Sequence, residues 1–148
     1  MKRYIFLLIV FLTTQGVIYA EEVYVAPIKG TIERGIAAFI TRVMTDAENN
    51  GADAVIFEID TPGGALDAAL TIRDAILYSE VKTIAFIHPR AISAGALISL
   101  ATDHIVMLEG GTIGAATAVD QQGNKASEKI ISYFRNEMKA TAEKTGRP

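Results

Sequence analysis

Apolar residues recur along this chain in two periods, at every second position in short runs and at every third or fourth in longer ones, and the two kinds of run take turns. Residues 22–28 (EVYVAPI) alternate as a strand does, and Lys29-Gly30 turns the chain. Thr31 can cap a helix whose apolar positions, Ile32, Ile36, Phe39, Ile40, Val43 and Met44, recur at three and four and stop before Gly51. Residues 54–59 (AVIFEI) form a second strand. Asp60-Thr61-Pro62-Gly63-Gly64 follows, then a helix carrying Leu66, Ala69, Leu70, Ile72, Arg73, Ile76 and Leu77. A third strand at 83–87 is expected to break at Pro89, after which Ala91-Ile92-Ser93-Ala94-Gly95-Ala96 opens an apolar helix ending near Leu100. Residues 105–108 give a fourth strand, expected to be buried. This order predicts an α/β fold with a mainly parallel sheet and helical crossovers.

Residues 109–123 (EGGTIGAATAVDQQG) read as loops with one short extended piece. A last helix is expected from near Ser127 to about Lys144, with Ile130, Tyr133, Phe134, Met138 and Ala142 along one side. Gly146 and Pro148 are helix-stop residues, so more structure is expected beyond them and the fold is expected to be incomplete at its C-terminus.

The first twenty residues differ in kind. Lys2 and Arg3 precede the apolar run 4–12, and a small residue, Ala20, precedes Glu21-Glu22, which is the order of a secretory signal. As a helix the nine apolar residues would cover about 14 Å of a hydrocarbon core roughly 30 Å thick, short for a permanent span. Residues 1–20 are therefore expected to be a signal peptide, with an uncleaved amino-terminal membrane anchor as the alternative. Residues 21–148 then form one exported, extracytoplasmic domain.

Half of the 148 residues are apolar, enough for one domain with a real core. The part after residue 20 carries 12 basic and 17 acidic residues, a formal charge of −5, and offers no basic stripe for nucleic acid. The absence of cysteine excludes disulfides, thiol nucleophiles and thiolate-bound metals.

Ser93 falls where a strand gives way to a helix. The first amides of a helix lack intrahelical acceptors, so a serine there has free N–H donors beside its hydroxyl, as an acyl-transfer nucleophile requires for its oxyanion. Serine is also an ordinary helix N-cap. In a parallel sheet the loops leaving the strand ends gather at one edge, which would bring the turn Pro62-Gly63-Gly64 beside Ser93. There the Gly64 amide is a plausible oxyanion donor, joined by that of Ala94; a plain tight turn is the simpler reading.

A base is also needed. His88 and His104 are the histidines, and Lys125, Lys129, Lys139 and Lys144 are the lysines after Ser93. Lys129 falls in the first turn of the last helix beside Ile130, Tyr133 and Phe134, where apolar cover and the helix dipole both favour a neutral amine. A lysine must be neutral to take a hydroxyl proton. Moving an ordinary lysine from about 10.4 to near 7 takes about 4 to 5 kcal/mol. The plainer alternative is a solvated Lys129 paired with Glu128 or a nearby acid.

Four pieces, DTPGG (60–64), AISAGALISLATDHIVM (91–107), GGTIGAA (110–116) and EKIISYF (128–134), together resemble the membrane-associated ClpP-class serine proteases of the NfeD family. The resemblance covers nearly everything after residue 20, in the family's order. It implies the ClpP/crotonase fold and a serine endopeptidase with a Ser-Lys dyad, in which Ser93 matches the nucleophile, Lys129 the general base, and Gly64 with Ala94 the oxyanion amides. The broader class more often uses histidine, in the stretch matching 112–118, and none stands there. The resemblance further implies an apolar polypeptide substrate, such as a stomatin-like membrane protein, a homo-oligomer, and no metal or organic cofactor. A non-catalytic interaction or scaffold module is the rival, and acyl-CoA chemistry, which the same fold hosts, is a more distant one.

Overall fold

The computed structural model describes residues 21–116 and 125–148. The proposed signal segment, residues 1–20, lies outside the described residues. The elements in chain order are β1 (Val23–Lys29), α1 (Arg34–Asn50), β2 (Ala54–Thr61), α2 (Leu66–Leu77), β3 (Lys82–Ile92), α3 (Ala94–Ala101), β4 (His104–Met107), β5 (Thr112–Gly114) and α4 (Glu128–Lys144).

Every strand pair is parallel, in the order β1-β2-β3-β4, and β5 continues beside the last residues of β3. A parallel sheet brings the ends of β2 and β3 to one edge, and all of the candidate chemistry follows those two ends. Alternate residues of the strands face the helices: Ala26 and Ile28 of β1, Val55, Phe57, Ile59 and Thr61 of β2, and Thr83, Ala85 and Ile87 of β3 are buried. Ile40, Met44, Ala69, Ile72, Ile76, Leu97 and Ile98 meet them from the helices. On the other face Val25 keeps 66% of its surface exposed. Phe57 is fully buried at the centre, so Phe57→Ala is expected to cost about 3 to 5 kcal/mol, measured as a lower urea midpoint at unchanged slope.

Three departures from the sequence expectations have local causes. Helix α1 begins at Arg34 rather than at Thr31, because Ile32 is drawn into a backbone bridge with Gly64 and buried there. Strand β3 does not end at Pro89. Ile59 faces Ile87 but Thr61 faces Ala91, so β3 carries extra residues in a bulge around His88-Pro89-Arg90, and a bulge tolerates the absence of the N–H that proline lacks. The fourth strand is not buried, since Val106 and Met107 keep 50% and 47% of their surface.

Candidate active site

At the end of β3 the chain turns at Ser93 and enters α3 at Ala94. Ser93 has φ 53° and ψ −110°, a left-handed conformation that an L-residue with a Cβ adopts only when its surroundings hold it there. Its amide donates to the Gly114 carbonyl at 2.8 Å, which ties it to β5 and removes it as an oxyanion donor. The carbonyl of Ser93 accepts from Ala96 and Leu97 and so begins the helix. Its side chain caps nothing, and the residue is partly exposed. The hydroxyl is therefore not occupied as the ordinary N-cap reading of the sequence would have it.

The turn after β2 packs directly on this serine. A Cβ added to Gly63 would lie 2.8 Å from the Ser93 Cβ and 3.1 Å from the Ile92 carbonyl, and Gly63 has φ +108°. Gly64 is bare for a different reason: the backbone of Ile32 lies against its Cα, with the Ile32 amide donating to Gly63 O and the Ala65 amide to Ile32 O, each at 2.8 Å. Neither the Gly64 nor the Ala94 amide has an acceptor among the described residues. Pro62 is exposed ahead of the two glycines.

Thus Pro62, Gly63, Gly64, Ser93 and Ala94 come to one place, and the GGTIGAA stretch joins them through Gly114. Arg90 Nε bonds Asp60 Oδ1 at 3.0 Å and ties the strand ends together just before the site. His104 sits at the start of β4, level with Ile84. The bulge shortens the path, since Ile84 faces Ile56 and Ala91 faces Thr61, but Ser93 still lies roughly 20 Å beyond Ile84 along the strand, which removes His104 as a base. His88 is exposed, stacked at a tilt on Phe86 with ring centroids 6.2 Å apart.

Lys129 lies in the first turn of α4, behind the N-cap Ser127, and is exposed. The expected apolar cover is not in place: Phe134 is buried, but Ile130 and Tyr133 keep 46% and 47% of their surface. Nor does Lys129 pair with Glu128, as the plainer alternative had it. Glu128 instead bonds Lys125 at 2.7 Å, and that ammonium holds its carboxyl below the usual range. The later part of α4 is well anchored. Glu137 pairs with Arg73 of α2 at 2.7 Å, Thr145 Oγ1 donates to Leu100 O at 3.0 Å, and the Arg147 guanidinium donates to Leu100 O and Asp103 O.

Residues 22–148 match the family model described as NfeD1b, N-terminal domain. The chain belongs to the NfeD1b N-terminal-domain family. Membrane protein NfeD1b of Bacillus subtilis (strain 168) is 43% identical over 127 residues, which cover 86% of this chain and 29% of that protein. Membrane-bound protease PH1510 of Pyrococcus horikoshii is 36% identical over 99% of this chain and 35% of its own length. The chain thus spans about a third of the curated relatives it matches.

Among solved structures, a serine-to-alanine mutant of the 1510-N membrane-bound stomatin-specific protease superposes with a TM-score of 0.81 at 36% identity, covering 88% of this chain and 67% of that one. A lysine-to-alanine mutant of 1510-N in complex with a substrate peptide gives 0.80, again at 36% identity, with 88% and 63% covered. ClpP1 of Listeria monocytogenes, as its N165D mutant, gives 0.62 at 22% identity over 84% of this chain and 73% of that one, a likeness of fold. The fold is ClpP-like.

Sequence reasoning missed Thr61, Ile32 and Gly114 as parts of this site. Thr61 stands in the DTPGG motif, which the sequence places after the second strand, whereas β2 extends through Thr61; the other two act through backbone groups that any residue carries.

Proposed function

We propose that the chain carries the catalytic site of a serine-type endopeptidase. The observation that supports this most is Ser93 itself, a partly exposed residue whose side chain caps nothing, held at a strained turn between the Gly63-Gly64 loop and the unpaired amide of Ala94. Lys129 is the proposed general base. It takes the Ser93 Oγ proton as Oγ bonds the substrate carbonyl carbon, and the Gly64 and Ala94 amides hold the oxyanion. Collapse of the adduct breaks the C–N bond, the amine leaves with the proton from Lys129, and water hydrolyses the acyl-enzyme with the same lysine as base.

The relative's name, stomatin-specific protease, supports a stomatin-like polypeptide as substrate, and the description of a lysine mutant holding a substrate peptide supports the dyad. Ile113, 40% exposed on the strand beside the end of β3, favours an apolar segment laid against that strand. Among the described residues no helix is long and apolar enough to cross a membrane. Membrane association and export are assigned here to residues 1–20 and to the names of the relatives, and self-association to the resemblance. Lys129 is exposed, so substrate or a second copy of the chain laid over it would supply the apolar cover that favours a neutral amine.

The same exposure is what favours the rival, a non-catalytic interaction module. The two separate in one experiment: cleavage of a stomatin-derived apolar peptide by the wild-type chain and by Lys129→Ala. A loss of at least about 100-fold in kcat is expected for Lys129→Ala, in line with removal of a general base. Equal turnover in both would rule out the dyad.

A further inference from the structure

Thr61 is fully buried at the end of β2, and each part of its side chain is engaged. Its hydroxyl donates to the Gly30 carbonyl at 2.6 Å and accepts the Gly63 amide at 3.0 Å. One hydroxyl proton is available and the Gly30 contact uses it, so the 3.4 Å approach to Gly63 O adds little. The methyl group faces the other way, into the first turn of α3. A Cβ added to Gly95 would lie 2.5 Å from Thr61 Cγ2, so the absence of a side chain at Gly95 is what lets the helix start rest on this threonine.

One side chain therefore touches both halves of the proposed oxyanion site. Through Gly63 it fixes the turn that presents the Gly64 amide, and through Gly95 it sets the height of the turn that presents the Ala94 amide. We infer that Thr61, bonded to Gly63 and packed under Gly95, is a positioning residue that sets the spacing between the Gly64 and Ala94 amides around Ser93. It touches no substrate. The inference rests on the peptidase reading above, and goes beyond it by assigning a buried neighbour the geometry of the oxyanion donors.

Valine keeps the shape of threonine and loses the hydroxyl, leaving the Gly63 amide and Gly30 carbonyl without their partner. Serine keeps the hydroxyl. The test is labelling of Ser93 in the chain by a fluorophosphonate probe, with the maximal rate and the half-saturating probe concentration measured separately, alongside thermal unfolding. Thr61→Val is expected to lower the maximal rate by about 10- to 100-fold while half-saturation moves less than about threefold, and Thr61→Ser, which keeps the hydroxyl bonds but not the contact under Gly95, to recover part of that loss and label at a rate between Thr61→Val and wild type. A change that merely loosened the fold would not be rescued by serine, which lacks the methyl, and would not separate the two constants.

A Thr61→Val chain that labels as fast as wild type, or a Thr61→Ser chain as slow as Thr61→Val, overturns the inference. Should Thr61→Val fail to fold, Thr61→Ala takes its place against Thr61→Ser, and equal rates in those two overturn it. Wild type that does not label at Ser93 overturns the peptidase reading and this inference with it, whereas a labelled wild type with an equally labelled valine variant overturns this inference alone.

Discussion

Ser93→Gly is expected to abolish acylation and yet to leave the protein more stable than Ser93→Ala by about 1 kcal/mol. At an ordinary position alanine would be the more stable of the two, because glycine gains more freedom on unfolding, by roughly 0.5 to 1 kcal/mol. Here φ is 53°, a region where a Cβ is costly; strain of this kind amounts to about 1 to 3 kcal/mol and is relieved in glycine. The strain outweighs the entropy, so the usual order reverses. Both variants lose the nucleophile, and peptide turnover should fall by at least about 10³-fold in each. Urea denaturation of the pair reads the first effect and fluorophosphonate labelling the second. Alanine as stable as glycine would mean that the turn at Ser93 stores no strain, and labelling retained in either variant would place the nucleophile elsewhere.

The strain has a structural reason. The extended run of β3 must stop within one residue for α3 to begin with its first amides open, and Ser93 is pinned on both sides: its amide by Gly114, its Cβ by Gly63. A serine on a sharp strand-to-helix turn is a recurring way to expose a hydroxyl beside backbone donors. That part of the arrangement could be read in the sequence, since a short apolar run broken by proline and followed by a small-residue apolar run marks a strand giving way to a helix. The remainder depended on pairing. Proline at 89 argues locally against a strand, and only the unequal spacing of β2 against β3 lets the strand continue past it. Thr31 argues locally for a cap, but the bridge from Ile32 to Gly64 outweighs capping and delays the helix to Arg34.

Lys129 is the converse case. Its place in the first turn of a helix could be foreseen from Ser127 and the apolar spacing that follows, and the Ser127 hydroxyl does accept the Ile130 amide. Its burial could not. Apolar neighbours at three- and four-residue spacing define a stripe, but what lies against that stripe is set by other elements. Here α2 and α3 cover the stripe only from Phe134 onward.

Gly64→Ala is expected to destabilise the chain by about 3 kcal/mol and to abolish labelling at Ser93 in whatever fraction remains folded. The added Cβ would meet the carbonyl oxygen of Ile32 and, at 2.5 Å, its amide nitrogen. These are backbone atoms, and both are held: Ile32 N donates to Gly63 O and Ala65 N to Ile32 O. Making room therefore means giving up two hydrogen bonds of about 0.5 to 1.5 kcal/mol each, in addition to the strain of overpacking. Retreat of either strand end would move the Gly64 amide away from Ser93, so activity falls with stability rather than independently of it. Gly35→Ala is the matched control. It sits in the first turn of α1, where an added Cβ meets only the Glu33 side chain at 3.6 Å, and alanine there should stabilise by about 0.4 to 1 kcal/mol without altering labelling. If Gly64→Ala melted with the wild-type midpoint, the close passage of Ile32 over this glycine would not exist, and the turn would lose the contact that presents its amide to the serine.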